Sequence, residues 1–283
     1  MNHKHIKEIG WIRVIQIIIP YILIVGSFQL LAYFILGLNI ENNLQEKTIF
    51  QKLIIVLFTF LGTLIVIGLF RKYIDKKTFK SLGFENILRN DIYLGLLTGF
   101  FIMSFSFLML LFFNQIYFVK FDFDFSKIIF SFLIFSLVAV TEELLIRGYI
   151  LNNLMVSINK YLALAISATI FSLMHVANDD YGWFPAIELF ISGIFLGISY
   201  IYTKNLVFPI VFHFSWNFFQ GTVFGFNVSG NRSYSMLHQS RLHDNIWNGG
   251  AFGFEGSIFS IVAQIIMAML IYLYWRKYRN VFQ

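Results

Sequence analysis

Glu142, Glu143 and Arg147 stand in Thr141-Glu-Glu-Leu-Leu-Ile-Arg-Gly-Tyr-Ile150, directly after the apolar run from Ile128 to Val140. Each charge near the centre of a bilayer costs roughly 2.5 to 3.5 kcal/mol, so three together need partners inside a polar cavity. Residues four apart share a helix face, so Glu143 can pair with Arg147, while Glu142 is turned about 100° away and lies over Ile146. Glu142 is left without a built-in partner. An unpaired carboxylate in a dry site is the group free to take and return a proton, the task of a general base. The competing reading is a structural polar knot that fixes helix packing.

Three more polar residues lie in apolar surroundings: His175 in Phe171-Ser-Leu-Met-His175, and His213 and Asn217 in His213-Phe-Ser-Trp-Asn217. The spacing of four sets His213 and Asn217 on one helix face, and Phe171 on the face of His175. Counted from the expected inner helix ends at 1.5 Å per residue, Glu142 lies ~18 Å deep, His213 ~12 Å, Asn217 ~18 Å and His175 ~22 Å. These depths allow one buried site.

The elements that must position these residues are membrane helices. Hydrophobic residues make up 58% of the 283 residues and charged ones only 13%, which excludes an ordinary soluble domain. Apolar stretches near 11–38, 51–70, 92–118, 128–150, 161–176, 184–202, 206–221 and 258–275 predict an all-α, polytopic transmembrane bundle of about eight spans. With that count, 15 of the 21 Lys and Arg fall on the side of the N-terminus, leaving Lys47, Lys52, Lys120, Lys127, Arg232 and Arg241 opposite. The positive-inside rule then places both termini in the cytoplasm. Orientation and anionic lipid account for the net charge of +6, so no nucleic-acid partner is expected. With no cysteine, thiolate catalysis and Cys-ligated metal centres are excluded.

The chain divides into N-terminal spans and a basic connector (1–120), a polar-bearing core (127–221), and a Gly-rich loop with the last span (222–283). The first spans are expected to seal the bundle. The connector from Arg71 to Asn90 reads as an interfacial helix on the inner leaflet. The loop from Thr222 to Ser257 reads as an external cap over the cavity, partly re-entrant or simply solvated. Glu188 is expected to snorkel to the interface.

In order and spacing, Glu142-Glu143-Leu-Leu-Ile-Arg147, Phe171-Ser-Leu-Met-His175 and His213-Phe-Ser-Trp-Asn217 resemble the EExxxR, FxxxH and HxxxN motifs of the CPBP family. That family comprises the type II CAAX prenyl proteases and the Abi-like, bacteriocin-processing intramembrane proteases. The resemblance covers 142–217 and implies an eight-helix endopeptidase with a catalytic core at 127–221. Carried over, it makes Glu142 and His175 the pair that activates water. His213 and Asn217 become the oxyanion partners, and Glu143 and Arg147 their support. Ile146 stands where relatives often have Phe, a change that concerns packing.

The expected substrate is a peptide or a lipid-modified protein at the bilayer, and the AT-rich-like use of Ile, Asn, Lys and Phe suggests a bacterial cytoplasmic membrane. Oligomeric state is left open. No cofactor is expected, with zinc the one alternative, because Glu142, His175 and His213 match a two-His, one-Glu ligand set. The absence of His-Glu-x-x-His argues against the familiar membrane zinc proteases. Gly197-Ile-Ser199 is too short a match for a serine nucleophile, and no Gly-x-Gly-Asp is present for an aspartyl mechanism. The rival readings are a non-catalytic scaffold or bacteriocin self-immunity protein, and behind it a proton-coupled transporter.

Overall fold

The computed structural model describes residues 3–39, 47–85, 87 and 89–279, with side chains described between 10 and 274. Lys4, Lys7, Leu88, Arg276, Lys277 and Arg279, which entered the charge and connector readings, therefore lie outside the described side chains. Helices follow the apolar stretches: α1 (His3–Ile35), α2 (Ile49–Leu69), α3 (Arg89–Phe112), α4 (Phe125–Glu143), α5 (Asn152–Ser157), α6 (Lys160–Leu173), α7 (Trp183–Thr203), α8 (Val207–Asn217) and α9 (Ile258–Arg279). A π-helical stretch, Leu144–Leu151, joins α4 to α5 without a break, and another, Phe218–Val223, prolongs α8. Five segments are long and apolar enough to cross a membrane: Gly10–Ile35, Ile49–Ile74, Arg89–Phe112, Phe125–Ser157 and Trp183–Thr203. Lys160–Leu173 and Ile258–Tyr274 are shorter apolar helices. The chain is a helical membrane bundle.

The π-helical stretch after α4 is the centre of that bundle, since every residue from Leu144 to Leu151 is buried. Around it α1 packs on α2 and α5, α2 on α4, α3 on α8, α6 on α7, and α7 on α9. Small residues set the closest approaches, as in membrane helix pairs generally. A Cβ on Gly99 would lie 2.4 Å from Ser215 Oγ and 2.9 Å from the Trp216 nitrogen, so α3 meets α8 almost backbone to backbone. Ser215 uses the proximity, its hydroxyl donating to Leu96 O at 2.7 Å. At Gly193 a Cβ would lie 2.7 Å from Ala168 Cα, which draws α7 onto α6. Outward faces of α1 and α3 carry exposed Ile, Leu and Phe, such as Ile19 and Phe105, fitted to lipid.

Three expectations change. The stretch 92–118 ends as a helix at Phe112, and Tyr117–Phe121 forms a strand, β1, antiparallel to β2 (Leu237–Ser240). Its Tyr-Phe-Val-Lys-Phe sequence is rich in residues that favour strands, and the ribbon ties the approach to α4 to the distal loop. The basic connector is not a leaflet-bound helix: Phe70–Ile74 is a π turn, Phe79–Leu82 a 3-10 turn, and Leu82 is fully buried. Arg71 is buried too and bonds Asp75 at 2.7 Å, while Arg13 reaches the same carboxylate at 3.4 Å, so these charges tie α1 to the end of α2. The segment 222–257 is not simply a solvated loop, since it is largely packed in the bundle, with an exposed run at 242–247. Phe224, Phe226, Phe252 and Phe254 are buried, and Phe107 of α3 stacks on Phe224 with centroids 4.9 Å apart.

Candidate active site

Glu142 and Glu143 close α4 where it passes into π geometry, an irregularity that concentrates at functional sites in membrane and soluble helices alike. Glu143 is wholly buried and accepts a 2.7 Å bond from Arg147 Nη1, as the spacing of four predicts. The Arg147 fork is held from two further sides. Its Nη2 donates to Gly193 O at 3.1 Å, and the guanidinium lies 4.6 Å over the Phe171 ring. The close approach of α7 at Gly193 is thus what brings that carbonyl to the arginine.

Glu143 has a second partner that the sequence did not disclose. His213 Nδ1 lies 2.9 Å from Glu143 Oε1, so the carboxylate links α4 to α8. Because a carboxylate accepts, Nδ1 carries the proton there, and Nε2 is turned toward Glu142 Oε2, 3.9 Å away. His175 is fixed in the same sense: its Nδ1 lies 2.8 Å from Phe171 O, a carbonyl that can only accept. Its Nε2 also faces Glu142 Oε2, at 4.0 Å. Three side chains, from the end of α4, the turn after α6 and α8, thus converge on one point, and their lone pairs look at one another across the width of a water molecule.

That point lies in a cavity of about 850 Å³ whose walls include Glu142, Phe171, His175, His213 and Asn217. Asn217 is 5% exposed, and its carboxamide bonds no neighbour among the described residues, so its N–H groups are available to whatever enters. Glu142 keeps 20% of its side chain exposed, yet Oε2 accepts no hydrogen bond. A smaller hollow between α1, α2 and α4, lined by Tyr21, Ile22, Val25, Val56 and Val138, reaches the same Glu142. Of the six residues singled out from the sequence, Glu142, Glu143, Arg147, His175 and His213 are gathered at one centre, and Asn217 lines the same cavity.

Other wall residues carried no signal the sequence reading used. Gln29, Thr59 and Lys52 line the cavity, so α1 and α2 are part of its wall and not only a seal. Glu255, from the segment expected to be a loop, also lines it. Its Oε1 accepts from Trp216 Nε1 at 3.2 Å, and its Oε2 from the Ser229 N–H and hydroxyl at 2.6 and 2.8 Å. A lone Glu in a Gly-rich stretch gives no periodicity to read. Glu188 does not snorkel: it is fully buried and bonded to Ser260 and Gln264 of α9. The expected reach to the interface fails because α9 supplies donors within the bundle.

Two ligands of one tetrahedral zinc, at about 2.0 to 2.1 Å each, stand roughly 3.3 Å apart. The 3.9 and 4.0 Å separations here are wider, and among the described residues no group of three His, Asp or Glu has metal-binding geometry. A water hydrogen-bonded to Glu142 and His175 at about 2.8 Å fits the gap as it stands. The arrangement can hold and deprotonate such a water, and the Asn217 amide offers N–H donors to the same cavity.

Residues 124–219 match the family model described as Type II CAAX prenyl endopeptidase Rce1-like. No curated protein and no solved structure gave a significant match. The matched segment begins at the cap of α4, ends just beyond Asn217 and contains all six motif side chains, so over these residues the chain is similar to the type II CAAX prenyl endopeptidases.

Proposed function

We propose that the protein is an intramembrane endopeptidase that hydrolyses a peptide bond of a membrane-associated peptide or lipid-modified protein with a water activated by Glu142 and His175. One observation carries the reading: Glu142 Oε2 faces a cavity with no donor bonded to it and two imidazole Nε2 atoms 3.9 and 4.0 Å away. A water in that gap donates one hydrogen to the carboxylate and one to His175. As its oxygen attacks the scissile carbonyl, Glu142 takes the proton, and the carbonyl oxygen becomes an oxyanion. Asn217 Nδ2–H donates to that oxyanion, and His213 Nε2–H joins it when the ring is doubly protonated, with Glu143 across Nδ1. Collapse breaks the C–N bond, and the proton held by Glu142 passes to the leaving amine. Arg147 and Glu143 touch no substrate; they hold His213 in place. No step is routed through a metal. Stoichiometric zinc in active protein, with activity lost on its removal and regained on its return, would overturn that part.

The apolar hollow that reaches Glu142 from between α1 and α4 supports a substrate carrying a lipid chain. The proposed location is a bacterial cytoplasmic membrane. The test compares peptide termini, by mass spectrometry of membrane and secreted fractions, from cells expressing wild type or Glu142→Gln at matched levels. Termini present only with wild type are expected and would name the substrate. Identical sets of termini, with the variant still restoring the host phenotype, would transfer the reading to a scaffold or bacteriocin-immunity protein.

A further inference from the structure

The cavity is electrically lopsided. One end holds Glu142 and the two imidazoles; the other is lined by Lys47, Lys52, Lys127 and Arg232. These are four of the six basic residues on the side opposite the termini by the charge count. Lys52 Nζ donates to Arg232 O at 2.8 Å, which holds the ammonium at the wall, and among the described residues no carboxylate pairs with it. Lys127 shares its charge with Asp124 Oδ2 at 3.2 Å, both about half exposed. The N-terminal ends of α2, capped by Thr48, and of α4, capped by Asp124, open at the same place and add their positive dipole ends.

This mouth is a built one. Tyr234 OH donates to Asp122 O at 2.8 Å and accepts from the Asp124 N–H at 2.7 Å, which clamps the 231–234 segment against the start of α4. Basic residues at a membrane edge ordinarily meet lipid phosphates. Here they open into the same cavity as the Glu–His centre, so a molecule spanning it touches both ends at once. Lys127 and Glu142 are fifteen residues apart on one helix, about 22 Å at 1.5 Å per residue. Spread over that length, the cavity has a mean section of about 40 Å², close to the roughly 4.8 by 10 Å section of a single extended strand. At about 3.3 Å per residue, a strand covers the distance in roughly seven residues.

We propose that this mouth binds a carboxylate of the peptide substrate, about seven residues from the bond cut at Glu142, through Lys52 and Lys127. The proposal rests on the peptidase reading for the cut and on the mouth's own charges for the anchor, so the two are tested apart. Binding is measured with the full-length Glu142→Gln protein in phosphatidylcholine nanodiscs. The probes are fluorescent Ala/Ser decapeptides carrying one Glu or one Gln, each with a free or an amidated C-terminus. The carboxylate-bearing peptides are expected to bind about tenfold more tightly than the neutral one, the change that one charge-assisted hydrogen bond brings. The preference should vanish in Lys52→Gln/Lys127→Gln, and weaken in Lys127→Gln alone, a half-exposed site whose loss leaves the fold intact. Comparing the Glu and free-acid peptides tells a side-chain from a terminal carboxylate. In a second arm, wild type digests a proteome-derived peptide library, and Asp or Glu should be enriched about seven residues from the cuts. Equal binding of charged and neutral peptides overturns the proposal. So does a preference that persists unchanged in the Lys52→Gln/Lys127→Gln protein. Charge-selective binding by a wild type that cuts nothing sinks the peptidase reading and leaves the anionic-peptide site standing.

Discussion

Glu142 and Glu188 are both carboxylates deep in the bundle whose Oε2 accepts no hydrogen bond, and they differ in what else surrounds them. Glu188, on α7, is fully buried, and its Oε1 accepts from Ser260 Oγ and Gln264 Nε2 of α9, each at 2.5 Å, with Ser192 Oγ at 3.5 Å. Glu142, at the end of α4, has Oε2 facing two imidazole nitrogens whose Nδ1 protons are committed elsewhere. Donors around Glu188 come from a neighbouring helix, so that carboxylate works as a tie between α7 and α9. Around Glu142 the neighbours are acceptors, which leaves room for something that donates, and water is the smallest such molecule. Within a membrane, the role of a carboxylate is thus read from what surrounds it more than from its depth.

The contrast is tested hardest at Glu142. Glu142→Gln keeps the volume and removes the base, so cleavage should fall about 100- to 10,000-fold, the range of general-base contributions, while the melting temperature in detergent stays at the wild-type value. Cleavage near the wild-type rate by the well-inserted variant would break the distinction outright. Behind Glu142, Arg147→Met tests the support. It leaves Glu143 buried with His213 alone and also removes the bond to Gly193 O. Breaking a buried pair from one side costs about 3 to 5 kcal/mol, which a denaturation series on the purified protein should show. If stability holds and only turnover drops, Arg147 belongs to the chemistry and not to the frame.

Much of this centre was legible because helical spacing is rigid. Glu143 with Arg147, and Phe171 on the face of His175, follow from a rise and a turn that hardly vary, and the Phe171–His175 ring contact is 5.0 Å. The helical membrane bundle was legible for a similar reason, since bilayer thickness sets a minimum apolar length, although only five segments of the described residues reach it. What stayed hidden depends on contacts between distant segments. That His213 would reach Glu143 requires the α4–α8 packing, which Gly95 and Gly99 of α3 help to set from the far side. Glu255 was invisible because its role comes from Trp216 and Ser229 meeting it, and its own neighbours in sequence are glycine and phenylalanine. Glu188 misled because its expected partner was water, and the donors on α9 lie more than seventy residues away in the chain.

Asn217 sharpens the comparison from the donor side. If the cavity lacks donors at Glu142 so that water can enter, it needs donors where the carbonyl oxygen becomes charged, and the free Asn217 carboxamide is the nearest fit to that need. Asn217→Ala should lower turnover about 100- to 1000-fold, the usual loss for one oxyanion donor, with little change in KM. Asn217→Asp should be as slow, since it puts a negative charge where one is forming. A fall in binding without a fall in turnover would assign Asn217 to substrate positioning.

The smallest effect, and the one that decides whether the comparison holds, is expected at Glu188. All the donors to Glu188 converge on Oε1, so in Glu188→Gln the amide oxygen can take that place while the N–H group fills the position of Oε2, which accepts no hydrogen bond. The bonds to α9 should survive, and the cost should be about 1 to 3 kcal/mol for the amide N–H left buried without a partner. Cleavage per folded molecule should stay within about twofold of wild type, because Glu188 itself is absent from the cavity wall while Ser192 and Gln264 stand between it and the cavity. A Glu188→Gln protein as inactive as Glu142→Gln, at equal stability, would mean that the α7–α9 network feeds protons to the site, and that being ringed by donors does not retire a membrane carboxylate from chemistry.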